Sequence, residues 1–382
     1  MKRPPHIHHT LLILVFLAWI SVPLAYRLFR PAGAGISRAE NRVLAPKPVL
    51  RAASLRAYPA AWEKYFNDHF FLRHELIHLN TLVVDYYLFK RSPIPSEVAF
   101  GQGGWIYATG SEREIYEGRN QPGTARLMEI AGELHRRALE YRAMGIIFYV
   151  AVAPMKCDVY PEFLPGNFIR SEKPAFPDEL MTILARDTLC HLVNLKDSLV
   201  AAKKSGWLFY RTDSHWNGLG AWYSYRGIVN RIHRDFPAVK PLDMGEFRLS
   251  GYRHEAGNLA TMAGLQQHIT EVFVTPGVVN PRSQELPKFG YPPPPLFGYP
   301  AEYELVRGIP DHSLPRAVVI RDSFFASLIP LFSEHFSRSV YIFDAWKYGP
   351  NPEITGHEKP DIVLLEIYTP NLLNIRADHP KK

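Results

Sequence analysis

Apolar residues of this 382-residue chain first form one continuous run, then recur at helical spacing, then alternate between short buried runs and amphipathic stretches. The continuous run is Leu11 to Leu24, preceded by Lys2 and Arg3 and followed by Arg27 and Arg30. With its aromatic flank it reaches Phe29, long enough to cross a bilayer at about 1.5 Å per helical residue. Two fates compete for it, cleavage as a signal peptide and retention as an anchor. Pro23 stands where a peptidase site needs a small residue, which favours an uncleaved anchor over residues 1–30 with the body exported. The arginines beyond the run dilute the positive-inside argument for orientation.

Residues 31–50 are rich in Pro, Ala and Gly, as in a linker. Between Ala53 and Leu88, Leu55, Tyr58, Trp62, Tyr65, Phe66, Phe70, Leu76, Leu79, Val83 and Tyr87 recur at helical spacing. That predicts an amphipathic helical region broken near Asp68-His69 and ended by Pro93 and Pro95. Residues 31–97 therefore read as a linker and juxtamembrane helical region.

From residue 98 the pattern becomes strand and helix in turn. Short strands are expected at 98–100 and 105–107, around Gly101, Gly103 and Gly104. A helix is expected over 124–144, ending at Gly145, and then a strand over 146–152 with the uninterrupted apolar character of one buried on both faces. Helix 175–189, strand 192–195, helix 218–235, strand 317–320, helix 323–336, strand 339–343 and strand 361–367 follow. Buried strands alternating with helices predict an α/β domain over 98–382, a mostly parallel sheet flanked by helices. Residues 237–315 break the rhythm. Their run Tyr291-Pro292-Pro293-Pro294-Pro295 favours a stiff, extended course, so the segment reads either as an insertion at the mouth of the site or as a surface loop without a role.

Composition narrows the picture. Hydrophobic residues at 47% and charged residues at 21% are those of a globular chain. The formal charge of +7 favours acidic partners, but Lys and Arg are scattered without a basic helix or zinc-finger spacing. That disfavours nucleic acid and leaves an anionic polysaccharide or a membrane surface. Aromatic residues at 13% permit stacking on sugars and equally fill cores. The cysteines are Cys157 and Cys190. They fall at opposite ends of neighbouring predicted strands, beyond the roughly 5.5 Å Cα spacing of a disulfide, so free thiols are expected.

Chemistry concentrates in two places. Tyr210-Arg211-Thr212-Asp213-Ser214-His215-Trp216-Asn217 lies just before a predicted helix. There a carboxylate can orient an imidazole and leave its other nitrogen free as a base. The same Asp-x-His pair could instead be a helix cap beside a bystander histidine, or two metal ligands. The second is Arg321-Asp322-Ser323-Phe324, where a buried strand breaks into a helix. A serine there stands at the carboxyl end of a parallel strand, where open α/β sheets place ligands, and the helix start can receive developing negative charge. The plain alternative is that Asp322 or Ser323 only caps the helix. Softer candidates are Trp216 as a shield or sugar platform, and Lys156 as a contact to an anionic sugar or an ordinary solvated lysine. Gly257-Asn258 is read as a donor to an oxyanion or a simple turn. His6, His8 and His9 precede the anchor and are read as non-catalytic. No GxGxxG, P-loop or HExxH motif occurs, and no cofactor or metal is called for.

These residues resemble the AlgJ/AlgX-type SGNH-hydrolase-like proteins that O-acetylate alginate and related exopolysaccharides. The similarity runs through Glu40-Asn41-Arg42, Tyr65-Phe66-Asn67-Asp68-His69-Phe70 with Arg73, Gly104-Trp105-Ile106-Tyr107, Pro154-Met155-Lys156 and Tyr160-Pro161-Glu162. Its specific part is Thr212-Asp213-Ser214-His215-Trp216-Asn217 followed much later by Arg321-Asp322-Ser323-Phe324. The resemblance implies an SGNH-hydrolase-like (flavodoxin-like) fold and a triad of Asp213, His215 and Ser323, with chain order reversed relative to ordinary SGNH hydrolases. It makes Trp216, Asn217, Lys156, Asn258 and Arg321 candidate substrate contacts. It implies a serine O-acetyltransferase acting on an exported polysaccharide, supplied with acetyl groups by an MBOAT-type membrane acyltransferase. The protein is then expected at the inner membrane with its catalytic domain in the periplasm. An acetylesterase of the same polymer class and a non-catalytic export scaffold are the rival expectations. Two departures are Glu366-Ile367-Tyr368-Thr369-Pro370-Asn371, where the family often carries Glu-Arg, and Gly257-Asn258, where Gly-Asp is usual. They leave the polymer open.

Overall fold

The computed structural model describes residues 11–18, 21, 45–50, 56–70, 79, 83, 97–119, 121–295, 297–344 and 351–376. Among these, no helix is long and apolar enough to cross a membrane. Most of the expected anchor lies outside the described residues, as do Glu40-Asn41-Arg42, Arg73, Pro93 and Pro95.

Helix α1 (Tyr58–His69) forms on the first part of the aromatic stripe and stops where the break was expected. Asp68 Oδ2 accepts the Ala45 N–H at 2.8 Å. Strands β1 (Val98–Phe100) and β2 (Ile106–Ala108) then pair antiparallel, with Val98 opposite Ala108. Helices α2 (Ser111–Tyr116) and α3 (Thr124–Ala143) lead into β3 (Ile147–Ala153). On α3, Leu127, Ile130, Leu134, Ala138 and Tyr141 are buried; they fall on one face because residues three and four apart share it. Gly145 takes φ 76° at the turn into β3, a conformation open to glycine without strain.

Next come α4 (Phe176–Leu184), β4 (His191–Asn194), α5 (Leu195–Ala202), α6 (Gly218–His233), β5 (Phe247–Glu255), α7 (Asn258–Met262) and β6 (Glu271–Val278). The chain finishes with β7 (Gln284–Glu285), β8 (Glu304–Gly308), β9 (Arg316–Arg321), β10 (Arg338–Phe343), α8 (Pro352–Glu358) and β11 (Ile362–Tyr368). The central sheet has the order β4-β3-β11-β9-β10-β8-β7. From β4 to β10 every pairing is parallel. Strand β8 pairs antiparallel with β10, and β7 antiparallel with β8. The sheet expected as mostly parallel is thus mixed. Strands β7 and β8 both arise inside the proline-rich excursion, and no α-helix stands between them among the described residues to make the crossover that parallel pairing needs.

That excursion is neither one insertion at the mouth nor a loose loop. Strands β5 and β6 pair as an antiparallel hairpin beside the Asp213 loop, where the Tyr210 and Phe273 rings stack at 4.0 Å. Residues 284–308 instead build the far sheet edge. Buried carboxylates hold the backbone of this stretch and its approach: Glu304 accepts the N–H groups of Phe289, Gly290 and Tyr291, and Glu334 accepts those of Arg282 and Ser283 just before it. The expected helix 323–336 is a chain of short turns, 3-10 over Phe324–Leu328, α over Ile329–Phe332 and 3-10 over Ser333–His335. Pro330 lies in its midst and has no N–H to continue a regular ladder. Phe324 and Phe325 are nonetheless buried, each worth about 1.5–3 kcal/mol, so the turn after Ser323 is firmly seated. Cys157 and Cys190 are free and buried.

Candidate active site

The loop from Leu208 to Asn217 is closed on itself before it presents any chemistry. Phe209 and Trp216 form an antiparallel bridge, Asn217 N donates to Leu208 O at 2.8 Å, and Tyr210 N donates to His215 O at 3.3 Å. Lys156 braces it from within. It is 1% exposed, and its ammonium donates to the carbonyls of Tyr210, Arg211 and Asp213 at 3.2, 3.1 and 2.7 Å. Burial pulls the Lys156 ammonium down to about 8. From outside, Glu271 accepts the N–H groups of Arg211 and Thr212 and the Thr212 hydroxyl.

Inside this frame Asp213 and His215 face each other. His215 Nδ1 donates to Asp213 Oδ1 at 2.7 Å, and the same oxygen accepts the His215 backbone N–H at 2.9 Å. Asp213 Oδ2 accepts Asn258 N at 2.8 Å. Burial works to raise the Asp213 carboxyl, but the neighbouring His215 charge and these hydrogen bonds outweigh it and hold the group at about 2. Burial equally works to lower the His215 imidazolium, and the Asp213 carboxylate outweighs that too, so its value stands above the ordinary one. With Nδ1–H committed to a carboxylate, Nε2 is left as an acceptor. Ser323 Oγ lies 2.8 Å from it. The serine is exposed at the carboxyl end of β9, so its hydroxyl meets both the imidazole and solvent.

The turn carrying Ser323 has its own buried support. Asp322 Oδ1 accepts Phe324 N at 2.9 Å, Asp322 Oδ2 accepts Tyr368 N at 2.7 Å, and Asp322 N donates to Glu366 Oε2 at 3.1 Å. Two buried carboxyls therefore tie the ends of β9 and β11 together under the serine. Burial, then the Asp322 charge, raise the Glu366 carboxyl well above its ordinary value. Ser323 occupies the cap position without a side-chain cap bond, and the Asp322 bond to Phe324 N coexists with the Asp213–His215–Ser323 chain of contacts.

The five expected substrate contacts have other work. Trp216 is buried and donates from Nε1 to Ser327 Oγ at 2.8 Å, locking its loop to the turn after the serine. Asn217 caps α6 by accepting from Leu219 N and Gly220 N, and its amide donates to Trp207 O. Asn258 exchanges hydrogen bonds with Ser214, accepting its N–H and donating to its hydroxyl. Asn258 N serves Asp213 and one of the two Nδ2 hydrogens serves Ser214, which leaves one amide hydrogen uncommitted. Arg321 is buried, donating to Asp322 O and Glu302 O and lying over the Phe343 ring. Lys156 is the internal brace described above, neither a sugar contact nor a solvated lysine. Trp216, Asn217 and Arg321 stand beside the reacting groups in sequence and Lys156 at the same sheet edge, yet each of the five side chains is engaged by the protein itself.

Three residues near the site have no assigned role in the sequence, Tyr368 and Glu366 entering only within a departure from the family pattern. Tyr368 stacks on Phe324 at 4.4 Å, and Phe324 in turn lies 4.5 Å from His215. Glu112, in the first turn of α2, is buried, and burial raises its carboxyl to about 7. Glu366 was noted only as a departure from pattern; as a lone carboxyl in the apolar strand Ile362–Tyr368 it carried a visible signal.

Residues 98–296 match the model of the family described as SGNH hydrolase-like domain, acetyltransferase AlgX. The chain belongs to this family. A curated relative, the probable alginate O-acetylase AlgJ of Pseudomonas aeruginosa, is 26% identical over 252 residues, spanning 63% of this chain and 58% of that protein. The chain thus spans less than two thirds of that relative. Among solved structures, Bacillus cereus PatB1 with a sulfonyl adduct superposes with a TM-score of 0.51 at 14% identity, over 72% of this chain and 98% of that one. The O-acetyltransferase domain of Pseudomonas putida AlgJ superposes with a TM-score of 0.48 at 16% identity, over 74% of this chain and 94% of that one. The α/β architecture of this chain is accordingly SGNH-hydrolase-like. The family match takes in Asp213 and His215 and ends before Ser323.

Proposed function

We propose that this chain is an O-acetyltransferase acting on the hydroxyls of an exported, alginate-like polysaccharide through an acetyl-serine intermediate on Ser323. The observation that carries the reading is the unbroken contact Asp213–His215–Ser323, with 2.7 Å and 2.8 Å steps. Family membership supplies acetyl as the group moved.

In the first half-reaction His215 Nε2 takes the Ser323 proton as Oγ bonds to the acetyl carbonyl carbon. The imidazolium, stabilised by Asp213, then gives that proton to the departing donor alcohol or thiol. In the second, a sugar hydroxyl surrenders its proton to Nε2 while its oxygen takes the acetyl carbon, and Ser323 Oγ leaves and is reprotonated from the imidazolium. The oxyanion is received by the backbone at the Ser323 turn, where a helical start follows the serine. By the family resemblance, acetyl groups are handed on by a membrane acyltransferase of the MBOAT type, with this chain held at the inner membrane by residues 1–30.

Replacing Ser323 by Ala is expected to abolish release from a chromogenic acetyl ester, and incubation of the active chain with deacetylated polymer is expected to add acetyl mass to the sugar. Full turnover by Ser323→Ala would refute the intermediate. Acetate in water without sugar acetylation would make the chain an acetylesterase.

A further inference from the structure

Between the Asp213–His215 loop and the β5–β6 hairpin lies a cavity of about 320 Å³, lined among others by Trp207, Arg211, Asn217, Leu249, Glu271 and Val272. That is the lower end of the roughly 300–1,000 Å³ of small-molecule sites. Neither Ser323 nor His215 lines it. Trp207 is 55% exposed yet fixed, set edge-on to Trp105 at 5.4 Å and to Phe163 at 5.5 Å. A rigid indole facing solvent offers a flat apolar platform of the kind a pyranose C–H face covers.

The polar groups of the cavity are unequally occupied. Both Glu271 oxygens accept from the loop backbone, and Thr212 adds its hydroxyl. The Asn217 oxygen is taken by the helix cap and one amide hydrogen by Trp207 O. Arg211 is the group left outward: its side chain is 54% exposed and its Nε stands 3.9 Å from Glu271. Arginine presents its donors in a fork that fits a carboxylate, and the chain's net charge of +7 draws the same sign of ligand.

We propose that this cavity is a subsite for an acidic sugar unit of the acceptor polymer, its ring stacked on Trp207 and its carboxylate paired with Arg211. The inference rests on the polysaccharide reading above. The unit held there is a neighbour of the one acetylated, and it holds the chain in register beside His215.

Titration calorimetry on the full chain tests this, using an acetyl-free oligouronate and a neutral glucan oligomer of equal length at two salt concentrations. The wild type is expected to prefer the uronate, with an affinity that falls as salt rises. Arg211→Gln is expected to weaken the uronate about tenfold and flatten its salt dependence. Val272→Glu sets a carboxylate into the cavity from a side chain 41% exposed, leaving the Trp207 packing intact, and is expected to weaken the uronate at least as much. Uronate affinities within twofold of wild type for both variants, or a wild type that binds no uronate, overturn the subsite. Acetyl-ester turnover is measured on the same wild-type preparation. Its absence refutes acyl transfer, whereas its presence with unaltered uronate binding refutes the subsite alone.

Discussion

At Asp213 and His215 two opposed effects meet, and the electrostatic one wins: a buried carboxylate is kept charged and its imidazole partner is kept basic. The value of kcat/KM for a small acetyl ester is therefore expected to rise with pH through a midpoint above the 6.5 of a free imidazole. Asp213→Asn is expected to move that midpoint down and cut kcat by on the order of 10⁴, the loss seen when a serine-protease triad loses the same charge. An unshifted midpoint would detach Asp213 from the chemistry. The stabilities run in opposite directions. The His215 share is complete below 6.5 and fades as pH climbs through its higher folded value. The Asp213 share is present above 3.8 and fades as pH falls toward about 2. Glu366 is raised, so its share is complete below 4.5 and is lost as pH climbs. A permanently neutral Glu366→Gln is thus expected to melt about 1–3 °C above wild type at pH 8, with the gap closing near pH 4. A lower melting temperature for the variant at pH 8 would show that the charged form is the stabilising one. Of these residues Asp213, His215 and Ser323 were legible from motif chemistry. Glu366 was not, because a carboxyl inside an apolar strand declares a need for a partner without naming Asp322.

The elements that hold the loop do so by close approach. Asn217, at the cap of α6, and Gly220, in its first turn, leave no room between helix and loop: a Cβ on Gly220 would stand 2.1 Å from Leu208 O. Gly257, just before α7, abuts the Asp213 loop itself, since a Cβ there would lie 2.3 Å from Thr212 O and 2.7 Å from Asp213 N. Gly257→Ala is expected to cost about 1–3 kcal/mol in urea unfolding and to lower ester turnover by displacing Asp213; wild-type turnover from the variant would show that the loop adapts. Boundaries of the buried strands were legible to within a residue or two, because continuous apolar runs such as Ile147–Ala153 and Ile362–Tyr368 admit few alternatives. The helix expected after Ser323 was not, because Pro330 breaks a pattern whose apolar spacing alone favours helix.

Across the whole molecule, β3 and β4 run parallel with Tyr149 opposite His191, which leaves Cys157 beyond the end of one strand and Cys190 before the start of the other. Both thiols are buried, and burial raises Cys190 to about 12 and Cys157 well above its ordinary value. The folded chain is expected to release no colour with a thiol reagent, and both cysteines to react once it is unfolded in guanidinium. A chain that yields no thiol even when unfolded would carry a disulfide and contradict the sheet order. Local pattern determined the buried strands and the two motifs, since each depends on residues within a few positions of one another. Tertiary structure alone decided that the proline-rich excursion divides into a hairpin at the loop and two antiparallel strands at one end of the sheet. It alone turned Lys156, Trp216, Asn217, Asn258 and Arg321 from expected contacts into internal supports. The physical reason is that a polar side chain's role is set by which unsatisfied backbone groups it meets across the fold, and those lie at sequence separations that no local spacing encodes.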